Sequence, residues 1–305
     1  MSDLPAYDLL LDAPIRAFIR ATEEFYPADT AILSIAELRT VYDRMCGAFF
    51  RGYPQGVTAE DRSISRVPCR IYPGAGPATV IYVHGGGYVL GSLHSHDDVC
   101  AEIRGETGLT VIAVDYRLSP EWAHPAAFDD VCAVLRAVEG PVILVGDSAG
   151  GNLAAAAVHA CRHLRIQGQV LIYPTLGGLR EGGSFAIHAH APMLTATDMA
   201  FYARIRHGGA EPPADDPTVT PLQDRDFIGL PMTLAVAAEC DPLADDASDY
   251  AARIRAAGGL AHAVTEAGLV HSYLRARSTV PRAAESFARI LLAITAFAKG
   301  EWPYG

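Results

Sequence analysis

The sequence predicts an α/β fold: a mostly parallel central sheet flanked by helices, with a helical cap above it. Three observations carry this. From about residue 79 a short β-type run, a polar or Gly-rich break and a helical stretch recur in turn, as parallel α/β units require. Two helical stretches, residues 1–48 and 177–215, interrupt that rhythm without strands of their own. The apolar content of 50% over 305 residues supports a large core.

Taken in order, the first 48 residues read as two amphipathic helices around "PIRAFIRATEEFY" and "IAELRTVYDRMCGAFF". The segment "SISRVPCRIYPG" then enters as one or two antiparallel edge strands. Parallel strands follow at "ATVIYVH", "LTVIAVDYR", "PVILVGD", "QVLIYPT", "MTLAVAAEC" and "AHAVTEA". Helices fall at "DDVCAEIRGETG", "FDDVCAVLRAVEG", "AGGNLAAAAVHACRHL", "LADDASDYAARIRAAGG" and the terminal "PRAAESFARILLAITAFAKG", several closing on Gly. The expected organisation is therefore a core over 49–176 and 216–305, with 1–48 and 177–215 joined as the cap.

Charge and composition exclude several partners. With 35 acidic against 24 basic residues, a formal charge of −11 and no Lys/Arg run, the chain would repel a phosphate backbone, so nucleic acid is not expected. The opening "MSDLPAYDLLLDAPIR" lacks a secretory pattern, and runs such as "ILLAITAFA" fall far short of a membrane span. A cytoplasmic location without membrane contact is the expectation. The cysteines Cys46, Cys69, Cys100, Cys132, Cys161 and Cys240 are scattered, without CxxC or Cys/His ligand spacing, and read as small reduced core residues.

The strand-to-helix junction "VILVGDSAGGNLAAAAVHA" carries the chemistry. Functional groups of parallel sheets gather at strand C-termini, and Gly146-Asp147-Ser148-Ala149-Gly150 fits G-x-S-x-G, a tight elbow that lifts the Ser oxygen above the sheet. The following helix N-terminus favours negative charge developing there. The competing reading is a Ser that only caps a helix.

A serine hydroxyl needs a base, and the base an orienting acid. In folds with this elbow the chain order is Ser, Asp/Glu, His. Two histidines lie beyond Asp241: His262 inside a strand, and His271 in the following loop, "GLVHSYL", which is favoured. In "AAECDPLADD", Asp241 ends a strand before Pro242, with Glu239 the alternative and a helix N-cap the competing role. The glycines of "VHGGGYVLG" let backbone N–H groups converge as an oxyanion site, together with the amide of Ala149. His84 reads as a structural hydrogen-bonding residue.

Assembled, "HGGGYVLGS", "VDYRLSPEWAHPAAFDD", "GDSAGGNLAAA", "DPTVTPLQ", "AECDPLADD" and "GLVHSYL" resemble the hormone-sensitive-lipase-like family of α/β-hydrolases, specifically its small bacterial carboxylesterases. The likeness covers most of the chain. It implies Ser148 as nucleophile, Asp241 as acid and His271 as base. It also implies oxyanion donors at Gly86, Gly87 and Ala149, with Gly85 shaping the loop. It further implies a helical cap, short acyl esters as substrates and no cofactor or metal, and it leaves a homodimer open. Gly85, Tyr88 and Tyr202 are expected to contact substrate, with Phe201 a further aromatic of the cap. One departure is Ser272, where relatives often have Gly, followed by Tyr273 rather than Phe.

Other readings are weaker. "GGGYVLG" breaks the G-x-G-x-x-G spacing of a dinucleotide loop at Leu90. "HSHDD", residues 94–98, reads as a solvated helix start rather than a metal cluster. A binding protein on the same scaffold is the non-enzyme alternative. Gibberellin receptors, which resemble this family, lack the catalytic His, whereas His271 is present here.

Overall fold

The computed structural model describes residues 5–29, 32–213 and 215–305. Residues 1–4, 30, 31 and 214 of the ranges expected for the cap lie outside the described residues. The strands are β1 (Glu60–Ile64), β2 (Val67–Tyr72), β3 (Thr79–Val83), β4 (Thr110–Val114), β5 (Val142–Asp147), β6 (Ile166–Ile172), β7 (Met232–Cys240) and β8 (Ala261–Val270). They form one 8-stranded sheet in the order β1-β2-β4-β3-β5-β6-β7-β8. The first two strands run antiparallel at one edge, and every pairing from β4 to β8 is parallel.

Helices α1 (Tyr7–Leu10), α2 (Ala13–Glu23) and α3 (Ile35–Phe49) precede the sheet. They are followed by α4 (Asp97–Thr107), α5 (Ala126–Ala137), α6 (Ala149–Ala160), α7 (Gly183–Ile187), α8 (Ala196–Arg206), α9 (Ala244–Ala256) and α10 (Pro281–Ala298). Strand alternation sorts the core into two layers. Val80 and Tyr82 of β3 face a cluster with Val99 and Ile103 of α4, Ile290 and Phe297 of α10, and Ile15 and Phe18 of α2. Ile81 and Val83 face the opposite cluster, with Val131 and Leu135 of α5, Leu153 and Val158 of α6 and Tyr250 of α9.

Capping residues set the helix starts. The Asp12 carboxylate accepts from the Ile15 amide at α2, while Ser34 with Glu37 and Thr195 with Asp198 close capping boxes at α3 and α8. A smaller apolar cluster joins Tyr42, Met45 and Cys46 of α3 to Val89 and Leu90 and, at its edge, Tyr202 and Ile205 of α8. The N-terminal helices and the later helical interruption thus meet beside the segment that follows β3. All six cysteines are buried free thiols.

Candidate active site

Ser148 stands between β5 and α6 with φ 53° and ψ −119°, a strained conformation for a residue with a Cβ. Its amide donates to the Ile172 carbonyl at 2.8 Å, and its own carbonyl accepts from the Asn152 amide at 3.1 Å. The small neighbours follow from close packing. A Cβ on Gly150 would run into the Val83 and His84 carbonyls, and one on Gly146 into the Gly150 backbone.

The strand ends bring three distant side chains together. His271, immediately after β8, has Nε2 2.9 Å from Ser148 Oγ and Nδ1 2.7 Å from Asp241 Oδ2. An ionised carboxylate only accepts, so Nδ1 carries the proton and Nε2 keeps a lone pair for the serine hydroxyl. Asp241 is fully buried at 0% exposure, and its second oxygen accepts from the Leu243 amide at 2.9 Å. One carboxylate thus serves both the turn into α9 and the imidazole. Glu239 turns elsewhere and accepts from the Gly268 amide at 2.7 Å. His262 stacks on Tyr304 with ring centroids 4.2 Å apart, away from Ser148.

Gly86 and Gly87 adopt φ of +125° and +61°, a region that favours glycine. Among the described residues, the amides of Gly86, Gly87 and Ala149 find no acceptor within the protein, and all three residues border the cavity that holds Ser148 and His271. Free donors gathered beside a serine hydroxyl are what an oxyanion developing there would need.

Gly85, expected to contact substrate, is engaged within the protein. Its amide is spent on Asp147 Oδ1 at 2.9 Å, its carbonyl accepts from His84 Nδ1 at 2.8 Å, and it is buried away from the cavity. His84 stacks on Tyr116 at 4.3 Å, and burial lowers its pKa to about 4. Tyr88 and Tyr202 both border the cavity, Tyr202 lying so close over Gly87 that a Cβ there would strike its ring. Phe201 borders it too, half exposed.

Several residues of the site escape sequence reasoning. Asp147, inside the elbow motif, accepts from Tyr82 Oη and the Gly85 amide at 2.9 Å each, with His96 Nε2 at 3.3 Å. It ties the glycine loop to the serine turn. Burial opposes its charge, but His96, the nearby Arg275 and the Tyr82 hydrogen bond outweigh that and hold the carboxyl well below the usual carboxylate range. An acid ending a wholly apolar run was the available signal. The segment at 94–98 is correspondingly not a solvated helix start: Ser95, His96 and Asp98 are buried, with His96 on Asp147 and Asp98 paired to Arg277. Among the described residues no group of His, Cys, Asp or Glu side chains is arranged to hold a metal.

Ser272 has φ 62° and ψ 17°, the left-handed region, which explains why glycine suits this position. The Tyr273 hydroxyl meets Ser286 Oγ of α10 at 2.6 Å in the core, so this side chain does not face the cavity. The cavity measures about 940 Å³, enough for a small organic substrate. Its far wall is built from α3 and α8, including Tyr42, Met45, Tyr202 and Arg206.

A model of the α/β hydrolase fold matches residues 80–275. An ethyl acetate hydrolase of Pseudomonas putida is 34% identical over 251 residues, which is 75% of this chain and 78% of that protein. A carboxylesterase of Mycobacterium tuberculosis is 34% identical over 232 residues, 70% of this chain and 72% of its own. Among solved structures, the hyperthermophilic esterase of the archaeon Pyrobaculum calidifontis matches with a TM-score of 0.84 at 29% identity, covering 94% of this chain and 99% of that one. An esterase from the bacterial hormone-sensitive lipase family matches with a TM-score of 0.84 at 28% identity, covering 93% and 98%.

Proposed function

The chain belongs to the α/β-hydrolase fold family, in its hormone-sensitive-lipase-like group, and on that premise we propose that it is a serine carboxylesterase acting on short-chain acyl esters through an acyl-enzyme. The observation that carries this is the unbroken hydrogen-bonded line from Ser148 Oγ through His271 to Asp241.

In this reading His271 Nε2 takes the hydroxyl proton as Ser148 Oγ attacks the ester carbonyl. Asp241 fixes the tautomer and stabilises the imidazolium. The oxyanion is received by the unpaired amides of Gly86, Gly87 and Ala149. The C–O bond to the alcohol then breaks, and the leaving oxygen takes its proton from His271 Nε2. Water, deprotonated by the same nitrogen, attacks the acyl-serine and releases the acid. Residues 1–48 and 177–215 serve as a cap that limits chain length. The closeness of α3 and α8 over the cavity supports this.

The test is hydrolysis of a 4-nitrophenyl acyl series from acetyl to dodecanoyl, with Ser148→Ala alongside. The variant is expected to lose on the order of a million-fold in kcat, and a phosphonate ester should label Ser148 in the wild type. Wild-type-like turnover by Ser148→Ala would overturn the nucleophile assignment. A preference for the longest chains would overturn the short-chain reading.

A further inference from the structure

Arg206, the last residue of α8, is only 5% exposed, yet among the described residues no carboxylate lies within ion-pair distance of it. Its partners are neutral and distant. Nη2 reaches the Thr218 carbonyl at 3.2 Å, Asn152 Oδ1 at 3.3 Å and His124 Nδ1 at 3.5 Å, while Nη1 reaches the Val219 carbonyl at 3.5 Å. Its guanidinium lies 3.8 Å above the Tyr88 ring. The neighbouring Asp216 is engaged by the Thr218 amide and hydroxyl at 2.8 and 2.6 Å.

Arg277 shows what this fold does with a buried guanidinium that it neutralises itself: Asp98 and Glu102 both hold it at 2.7 Å. Arg275 is an intermediate case, donating to the Tyr42 hydroxyl and to Cys46 Sγ. Leaving a buried cation without an anion is costly, and burial pulls the Arg206 pKa below its ordinary value. Yet Arg206 borders the same cavity as Ser148. Asn152, which it touches, stands one helical turn after Ser148 on α6. Arg206 and Ser148 thus line one cavity, into which a chain attached to an ester at the serine would extend.

We propose that Arg206 is a specificity-determining residue that selects esters carrying a carboxylate: half-esters of short dicarboxylic acids, or acyl esters of short hydroxy acids. A planar guanidinium matches a carboxylate through two parallel N–H···O bonds. The substrate's own anion supplies the direct ion-pair partner that Asp216, acting on the guanidinium only from beyond ion-pair distance, does not. This inference rests on the serine-esterase reading of the same site.

The experiment compares kcat/KM of the whole protein by proton release on two matched series. The first is monoethyl succinate, glutarate and adipate against the same ethyl esters ending in a carboxamide. The second is acetoxyacetate and 3-acetoxypropanoate against their amides, which separates a charge on the acyl side from one on the alcohol side. The carboxylate is expected to be favoured by about 30-fold or more in one series. That ratio should collapse in Arg206→Gln and survive in part in Arg206→Lys. An arginine that merely tied α8 to the 216–220 loop would leave the ratio near one in the wild type, which overturns the proposal without needing any variant. Competitive inhibition of the wild type by glutarate or adipate, and none by the diamides, is the second expected result. Turnover of the carboxamide esters that is lost in Ser148→Ala, with no carboxylate preference, would sink the selection by Arg206 alone. Absence of turnover on every ester would sink the esterase reading with it.

Discussion

The two sides of the cavity are fastened by different means. On the sheet side, Ser148, His271 and Asp241 sit at the ends of β5, β8 and β7, and α6 behind Ser148 is buried along nearly its whole length. On the opposite side α8 buries a single residue, Arg206, and hangs on its capping box, on arginine contacts and on partly buried rings. In the proposed reaction, the groups that would have to hold one geometry are thus placed where packing leaves no freedom. The α8 residues that line the cavity stand on an element with few apolar anchors, which tolerates change at lower cost to the fold.

The sharpest way to break the sheet side is Asp241→Asn. The amide keeps the shape but no longer dictates which imidazole nitrogen carries the proton, so kcat is expected to fall by about 10⁴ with little change in the thermal midpoint. Steady-state kinetics beside a melting curve checks both halves of that statement.

Next in size is Asp147→Asn, which removes a buried charge on which Tyr82, Gly85 and His96 converge. A loss of about 3 kcal/mol in unfolding free energy is expected, with slower turnover as the glycine loop loosens. Because the folded protein holds this carboxyl below its unfolded value, its contribution is complete above roughly pH 4 and disappears as pH falls further through the depressed folded value. Urea unfolding of the wild type from pH 7 to pH 3 should therefore lose stability at the acid end. The variant's curve should be flatter there, and an unaltered acid limb would count against the role given to Asp147.

The smallest effect belongs to Tyr273→Phe. It strands Ser286 Oγ in the core and should cost about 1 to 2 kcal/mol of stability. Acyl-length preference should not move, because the ring faces α10 rather than the cavity; a changed preference would place Tyr273 on the wrong side of the comparison.

Much of the sheet side was legible from residues alone. The β-branched runs at 79–83, 110–114 and 142–147 are buried strands, and the predicted strand "MTLAVAAEC" coincides with β7. The elbow, the Asp after β7 and the His after β8 were found because strand ends in a parallel sheet converge whatever lies between them in sequence. What stayed hidden was pairing between side chains. Nothing in "HSHDD" announces that His96 turns inward to Asp147, since that depends on where α4 packs on the sheet. Arg206 in "FYARIRHGG" likewise gives no sign of being buried, because α8 has no apolar stripe to orient it. Gly85 shows the same limit: a glycine-rich loop announces that backbone approaches something closely, but not that the Gly85 amide is held by Asp147.

The sheet order carries one more consequence. β3 and β5 are direct neighbours, with Val83 opposite Gly146, so the glycine loop and the serine turn leave the sheet side by side at one level. Their separation is set by a hydrogen-bonded ladder, and the α4, β4 and α5 excursion that divides them in sequence has no say in it. Outer helices could be lengthened, trimmed or exchanged for others, and the spacing between the Ser148 oxygen and the amides of the glycine loop would travel unchanged from one descendant to the next.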